Sequence, residues 1–316
     1  MILVAGATGF LGRDICRRLV AQGHAVRGLV RPTSDPMALE GLRALGVELA
    51  EGDLRDRASL DAACEGVDTV VSTATITRTR QPGDSIEATD RDGQLNLVAA
   101  AEGAGVGRFV FVSYSGHIPE SDPLTRAKRT VERALQESRM TWTILRPSIF
   151  MDVWLSPLFG FDYPAGRVTT YGDGTAPVSW VSLGDVGELA ARSVTDSAAA
   201  NKVIDFGGSE PLSPLEVVRL FEDAMGRRFE VQLVPVEALE AQRKAATNSL
   251  EEAFAALMLA YARGDVHDNA GLRPFQLTLR SVREYVEQCA QQAGSVRSVA
   301  ADGVNRAPAS EHARTG

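Results

Sequence analysis

Ile2-Leu3-Val4-Ala5 followed by Gly6-Ala7-Thr8-Gly9-Phe10-Leu11-Gly12 is the stretch whose reading decides the fold. The apolar run is too short for a helix and suits a strand covered on both faces. The next residues carry glycines at the spacing G-x-x-G-x-x-G. Gly6 permits a tight turn, Gly9 lets backbone approach a pyrophosphate, and Gly12 lets the following helix pack against the sheet. Thr8, Phe10 and Leu11 complete the turn, where N–H groups and the helix dipole favour a negative ligand. A structural glycine turn without a ligand is the alternative, and the strand and helix around the motif oppose it.

Outward from this turn, apolar runs and helical spacing alternate. Leu11, Ile15, Leu19 and Val20 line one side of a helix from Phe10 to Gln22, stopped by Gly23. Further strands are expected at 26–30, 47–50, 69–71, 109–112 and 142–145, with helices at 37–45, 94–102 and 123–138. Strands alternating with helices imply right-handed crossovers and an α/β, Rossmann-type doubly wound parallel sheet. After Pro147 the pattern loosens into aromatics and glycines. Ser213-Pro214-Leu215-Glu216 is a capping box with proline at the first helical position, and Ser249 with Glu252 predicts a helix running to Gly264. A final helix is expected at 278–289. The chain thus divides into a dinucleotide-binding domain at 1–150, a smaller mixed α/β substrate lobe at 151–292, and a tail at 293–316. The tail is small, polar and aperiodic, which predicts disorder.

Composition narrows the partners. A chain of 316 residues and 33.8 kDa accommodates one large α/β domain plus a smaller lobe. Its formal net charge of −8 opposes a nucleic-acid surface, which needs surplus Lys and Arg. No apolar run approaches the ~20 residues of a membrane span, and no basic leader precedes the strand at Ile2. A cytoplasmic protein is expected. Cys16, Cys64 and Cys289 have neither metal-ligand spacing nor a disulfide pattern. No metal is expected, and Cys16 and Cys64 read as small buried hydrophobes.

The end of the second strand bears on the cofactor. An NAD site wants Asp or Glu there, to accept from the adenosine ribose. Val30-Arg31-Pro32-Thr33-Ser34 offers no carboxylate before Asp35. Arg31 lies about 20 positions beyond Gly12, where a guanidinium forks onto a 2′-phosphate and the Ser34 hydroxyl assists. A solvated surface arginine is the alternative. The expected cofactor is NADP(H), with NAD(H) bound more weakly. Gly52-Asp53-Leu54 follows the third strand at the same edge. Asp53 reads either as an acceptor for the adenine amino group or as a helix N-cap, and Leu54 accompanies it in the cofactor site.

These stretches, with Leu145-Arg146-Pro147, resemble the atypical and extended short-chain dehydrogenase/reductases. Within them the chain is most similar to the NmrA-like and isoflavone-reductase-like subgroup. The resemblance implies a Tyr-x-x-x-Lys pair with an upstream serine. Here the matching segment is Leu124-Thr125-Arg126-Ala127-Lys128: the lysine is kept, and leucine, which cannot transfer a proton, stands for the tyrosine. Isoflavone-reductase-like members also dispense with the tyrosine. Lys128 is therefore either a ribose anchor alone or an anchor that also acts as general acid or base. Ser113 matches the family serine. Tyr114 is a candidate substitute for the missing tyrosine. His117 is a candidate acid at the substrate pocket, or else a surface loop histidine.

The family layout also puts Thr73, Ala74 and Thr75 beneath the nicotinamide ribose, and Pro147 and Ile149 beside the nicotinamide. Phe150, Trp154, Phe159, Phe161, Tyr163 and Trp180 read either as an apolar substrate pocket or as plain core. The expected function is NADP(H)-dependent reduction of a small, fairly apolar carbonyl, enone or quinone-like substrate. A non-catalytic NADP(H)-binding redox sensor or assembly factor of the NmrA-like type competes with it, kept open by Leu124. A nucleotide-sugar epimerase or dehydratase is opposed by the absent tyrosine.

Overall fold

Alternate residues of the first apolar run feed two different cores, which is what a strand with helices on both faces requires. In a computed structural model, which describes residues 1–78 and 80–304, β1 (Ile2–Ala5) is buried along its whole length. It is followed by α1 (Phe10–Ala21), β2 (Val26–Val30), α2 (Pro36–Ala44), β3 (Glu48–Glu51), α3 (Arg57–Ala63) and β4 (Thr69–Ser72). A π-helical stretch over Ile86–Gly93 leads into α4 (Gln94–Gly103), then β5 (Arg108–Val112), α5 (Pro123–Glu137) and β6 (Thr141–Pro147). The chain continues through α6 (Met151–Trp154), β7 (Phe161–Asp162), β8 (Arg167–Tyr171), α7 (Leu183–Arg192) and β9 (Lys202–Phe206). It closes with α8 (Pro214–Met225), β10 (Glu230–Val234), α9 (Val236–Ala245), α10 (Ser249–Arg263) and α11 (Val282–Val304).

Seven strands form one sheet in the order β3-β2-β1-β4-β5-β6-β9, every neighbouring pair parallel. Ile2 and Val4 pack with Ile15 and Leu19 of α1 and Leu189 of α7 on one face. Leu3 packs with Leu97 of α4 and Leu135 of α5 on the other. The fold is the expected Rossmann-type sheet. Because β1 lies between β2 and β4, the crossovers diverge there and open a crevice beyond the carboxyl ends of β1 and β4.

A small second sheet, β10-β8-β7, carries a third core around Trp180, Phe161, Phe221 and Tyr285. The two lobes are not consecutive in the chain. α7 packs against α1, and β9 pairs with β6 from Thr143↔Lys202 to Pro147↔Phe206. The segment 183–206 thus returns to the large sheet, and a boundary placed at 150 misses this return.

Local signals set most helix ends. Ser213 and Glu216 make the reciprocal capping box expected of them. α10 instead takes Asn248 as its cap, which accepts from the N–H groups of Leu250 and Glu251, and Ser249 turns its hydroxyl to Glu87 at 3.0 Å. α11 begins at Val282, not 278. Ser281 and Glu284 form a capping box there, the Ser281 N–H donating to Glu284 at 2.8 Å. Its backbone runs on to Val304, past the composition expected to end it. Residues 305–316 of the expected tail lie outside the described residues. Among the described residues no helix is long and apolar enough to cross a membrane.

Candidate functional site

The glycine turn is built so tightly that only glycine fits at two of its positions. Gly6 has φ +85°, and a Cβ there would meet Thr73 Oγ1 at 2.7 Å and the Ala74 amide nitrogen at 2.9 Å. A Cβ on Gly12 would lie 2.1 Å from the Gly6 carbonyl oxygen, so α1 rests directly on the turn. α1 opens at Gly9 with no side chain capping its first N–H groups. Those donors stand where Phe10, Leu11 and Gly12 line a cleft of about 760 Å³. The cradle therefore suits a dinucleotide pyrophosphate. Every residue expected at the cofactor lines this cleft, from Gly6 and Thr8 through Arg31, Ser34, Asp53, Leu54 and Thr73 to Lys128, Pro147 and Ile149.

At the end of the cleft lined by Arg31 and Asp53, charges are strung in a chain. Arg31 Nη1 donates to Asp84 at 2.8 Å, Arg55 lies 3.5 Å from the same carboxylate, and Arg55 also pairs with Asp53 at 2.8 Å. Hydrogen bonds from Arg55 hold the Asp53 carboxyl below the usual range despite partial burial. Asp53 is no N-cap: Asp56 caps α3, accepting from the Ala58 N–H, because the turn after Asp53 delays the helix to Arg57. Ser34 accepts the Arg31 N–H at 3.0 Å, which fixes the loop. Two more arginines flank the exposed Phe10 ring, Arg78 at 3.7 Å and Arg13 at 5.5 Å from its centroid. Burial and the Arg13 charge push the Arg78 guanidinium below its ordinary value. Neither has a carboxylate partner among the described residues, so this end carries positive charge in excess.

In the middle of the cleft, α5 is launched by Asp122, which caps Leu124 and Thr125, with Pro123 at the first helical position. One turn later Lys128 is buried, its Nζ 3.7 Å from Asp90 and 5.0 Å from the Phe111 ring centroid. Burial drives the Lys128 amine below the ordinary lysine range, against the pull of Asp90 and Glu132. Leu124 packs with Ile76, Ile86 and Ala253 of α10. The position of the missing tyrosine thus joins the second lobe to the lysine's helix.

Ser113 and Tyr114 both line the cleft, but each is already engaged. Ser113 Oγ accepts from Arg129 at 3.2 Å, within a buried cluster where Glu132 takes Arg129 and Arg146, each at 2.5 Å. The Tyr114 hydroxyl meets Thr125 at 2.5 Å, and Thr125 in turn donates to Asp122. Burial pushes the Tyr114 phenol well above its ordinary value, which makes it a poorer acid.

The far end is apolar. Phe150, Trp154 and Phe159 line it, joined by Phe254, Leu257 and Ala260 of α10. Trp180 does not. It is fully buried, and its Nε1–H donates to the Leu212 carbonyl at 2.8 Å, so it is core of the second lobe, as is Phe161. His117 is also displaced from its expected place. It faces a side cavity of about 70 Å³, and Asp265 stands between that cavity and the main cleft. His117 Nδ1 and His267 Nε2 each lie 3.0 Å from Asp265 Oδ1, the two rings stacked at 4.3 Å. Ser115 donates to the same oxygen at 2.8 Å and Ser148 to the other at 2.7 Å. Burial opposes ionisation of Asp265, yet these hydrogen bonds hold its carboxyl below the usual range. His267 Nε2 also lies 3.2 Å from the Ser115 hydroxyl, so serine, aspartate and both histidines form one cluster.

The match to known proteins agrees with this geometry. The family model for the NmrA-like family covers residues 1–286. The chain belongs to the NmrA-like family. Among curated relatives it is 30% identical to photosystem II assembly factor Ycf39 of Synechocystis, over 77% of this chain and 73% of that one. It is 34% identical to the (4-alkanoyl-5-oxo-2,5-dihydrofuran-3-yl)methyl phosphate reductase of Streptomyces griseus, over 75% and 78%. Among solved structures, AtPrR2 with NADP+ and (+)pinoresinol aligns with TM-score 0.72 at 25% identity, over 90% and 97%.

In this NmrA-like chain, sequence reasoning passed over Asp84, Asp90, Asp265 and His267. Asp84 and Asp90 sit in a stretch without helical or strand periodicity, which resolves into a loop and a π-helical turn. Asp265 and His267 lie about 150 positions from the serine and histidine they bind. For the π turn one signal was available: Ser85 caps it, accepting from the Ala88 N–H.

Proposed function

We propose that this chain is a cytoplasmic NADP(H)-dependent reductase of small, fairly apolar carbonyl, enone or quinone-like substrates. The observation that carries the reading is one continuous cleft with three zones: a glycine cradle with surplus arginines, a buried lysine, and an aromatic pocket. A bound reduced nicotinamide supplies the hydride. Arg31, Arg13 and Arg78 answer its phosphates, and the turn from Thr73 to Thr75 meets its ribose. Lys128 holds the ribose and gives a proton at the substrate oxygen, the task the tyrosine performs in other members of the wider superfamily. Phe150, Trp154 and Phe254 hold a flat apolar substrate and exclude water from the transfer. The second lobe is the substrate lobe because it contributes α6 and α10 to that end of the cleft.

The reductase named among the relatives, at 34% identity, and the NADP+ complex of AtPrR2 support this reading. Three buried free thiols, Cys16, Cys64 and Cys289, suit a reducing compartment. A second reading, a cofactor-binding assembly factor, draws on the likeness to Ycf39. Following NADPH oxidation at saturating cofactor across quinones, enones and aldehydes separates the two. Turnover of at least one class supports the reductase, and tight NADPH binding with no turnover across the panel favours the assembly factor.

A further inference from the structure

Lys128 is unusual in this chain before its surroundings are considered. The sequence has three lysines, and the other two, Lys202 and Lys244, are exposed. Arginine carries the remaining basic positions. Arginine keeps its charge in any protein environment, whereas a buried lysine can lose it, so the one buried lysine is where a movable proton is possible.

Opposite it stands Asp90, on the π-helical stretch Ile86–Gly93 and fully buried. Its Oδ2 accepts the Ile76 N–H at 3.2 Å. Among the described residues its Oδ1 has no hydrogen-bond partner, and it lies 3.7 Å from Lys128 Nζ. A buried carboxylate oxygen without a partner is costly, and π turns recur where function requires a side chain in an unusual direction. We propose that Asp90 is the proton partner of Lys128, so that the two form one buried pair holding the transferable proton of the reduction. This rests on the reductase reading.

Burial pushes the amine down and the carboxyl up, each toward its neutral form, so the proton has a place on either partner. Few other charges face the pair. Glu132 and Arg129 of α5 act on the amine and oppose each other, while Asp122 is bound by the Thr125 hydroxyl, which also meets Tyr114. In the transfer, the Nζ–H bond breaks as the substrate O–H bond forms, while the electron pair arrives with the hydride of the reduced nicotinamide. The amine is left neutral beside Asp90, and water returns the proton once the product has left the cleft. Asp90 acts through Lys128 and is a positioning residue.

Carbon-13 labelling of the lysine ε-carbons gives three signals, one of them Lys128. In the wild type that signal is expected to titrate below the ordinary lysine range. In Asp90→Asn it should titrate lower by a further pH unit or more, a tenfold loss of proton affinity, because the opposing charge is gone. Should Asp90→Asn fail to fold, Lys128→Met serves instead, and the Asp90 carboxyl carbon should then titrate at higher pH than in the wild type. A Lys128 signal unmoved by Asp90→Asn, or an Asp90 signal unmoved by Lys128→Met, overturns the pairing. With menadione and NADPH, Asp90→Asn should move the alkaline limb of the kcat–pH profile down by the same interval, with NADPH affinity within threefold. Shifted signals without menadione reduction by the wild type leave the pair standing and count against the reductase. Reduction with unmoved signals does the reverse.

Discussion

Replacing Arg31 with alanine is expected to erase most of the preference for NADPH over NADH. Arg31 spends one nitrogen on Asp84 at 2.8 Å, and its side chain is 24% exposed where it lines the cleft. A guanidinium has five donors, so others remain for a 2′-phosphate. A charge-assisted hydrogen bond is worth about 1.5–3 kcal/mol, and each ~1.4 kcal/mol is tenfold in affinity. NADPH should therefore weaken by about 10- to 150-fold in Arg31→Ala, while NADH, which lacks the phosphate, stays within threefold. The same substitution leaves the buried Asp84 with Arg55 at 3.5 Å, the Gln81 N–H and Thr89. It should thus cost stability as well, about 1–3 kcal/mol. That loss affects both cofactors equally and is read separately from a denaturant curve. Calorimetric titration of both cofactors at one ionic strength decides the matter. An unchanged NADPH-to-NADH ratio in Arg31→Ala refutes the assignment, and a ratio that collapses instead in Arg13→Ala or Arg78→Ala moves the phosphate to the pair around Phe10.

Trp154→Ala should raise KM for an apolar substrate about two- to tenfold by removing a stacking wall, with NADPH affinity unchanged. Trp180→Ala should instead cost about 3–5 kcal/mol of stability, since that ring is core; equal effects of the two on KM would contradict the placement. Gly12→Ala forces α1 off the Gly6 carbonyl and should cost about 1–3 kcal/mol together with NADPH binding; calorimetry and melting on the same sample check both. Glu132→Gln should cost about 3–5 kcal/mol at pH 7, because two buried guanidinium contacts lose their anion. Burial pushes the Glu132 carboxyl up, but hydrogen bonds from Arg146 and Ser113 and the Arg129 charge outweigh it and hold the group below the usual glutamate range. Its stabilisation is thus complete above the unfolded value of about 4.3 and lost as pH falls through the lower folded value. Urea midpoints of wild type and variant should begin to converge as pH falls below about 4, and parallel curves would contradict this.

What could be read in the sequence was what depends on near neighbours. The turn from Gly6 to Gly12 announces itself because strand, glycine spacing and helix fall within a few residues, and Lys128 is reached through the family resemblance, which matches Leu124-Thr125-Arg126-Ala127-Lys128 to the Tyr-x-x-x-Lys pair. Trp154 and Trp180 are indistinguishable in sequence. Only tertiary placement makes one a cleft wall and the other core. The same holds for His117, which is drawn to the side cavity by Asp265, far along the chain. Asp84, in a loop, and Asp90, in a π turn, lie where neither a helical nor a strand period marks the sequence. Their importance comes from burial beside Arg31 and Lys128, which local pattern does not encode. The return of β9 to the large sheet was hidden for a related reason: its strand follows a segment rich in glycine and aromatics that reads as a separate lobe.

Hydride transfer itself is tested most directly with NADPH deuterated at the transferring C4 position, mixed in single turnover with a panel of aldehydes and enones. Product mass then reports the label. The account predicts one deuterium on the reduced carbon of at least one product for each cofactor oxidised, and its loss in Lys128→Ala with NADPH still bound. Tight cofactor binding with no deuterium in any product would contradict it and leave a protein that holds NADPH without using it.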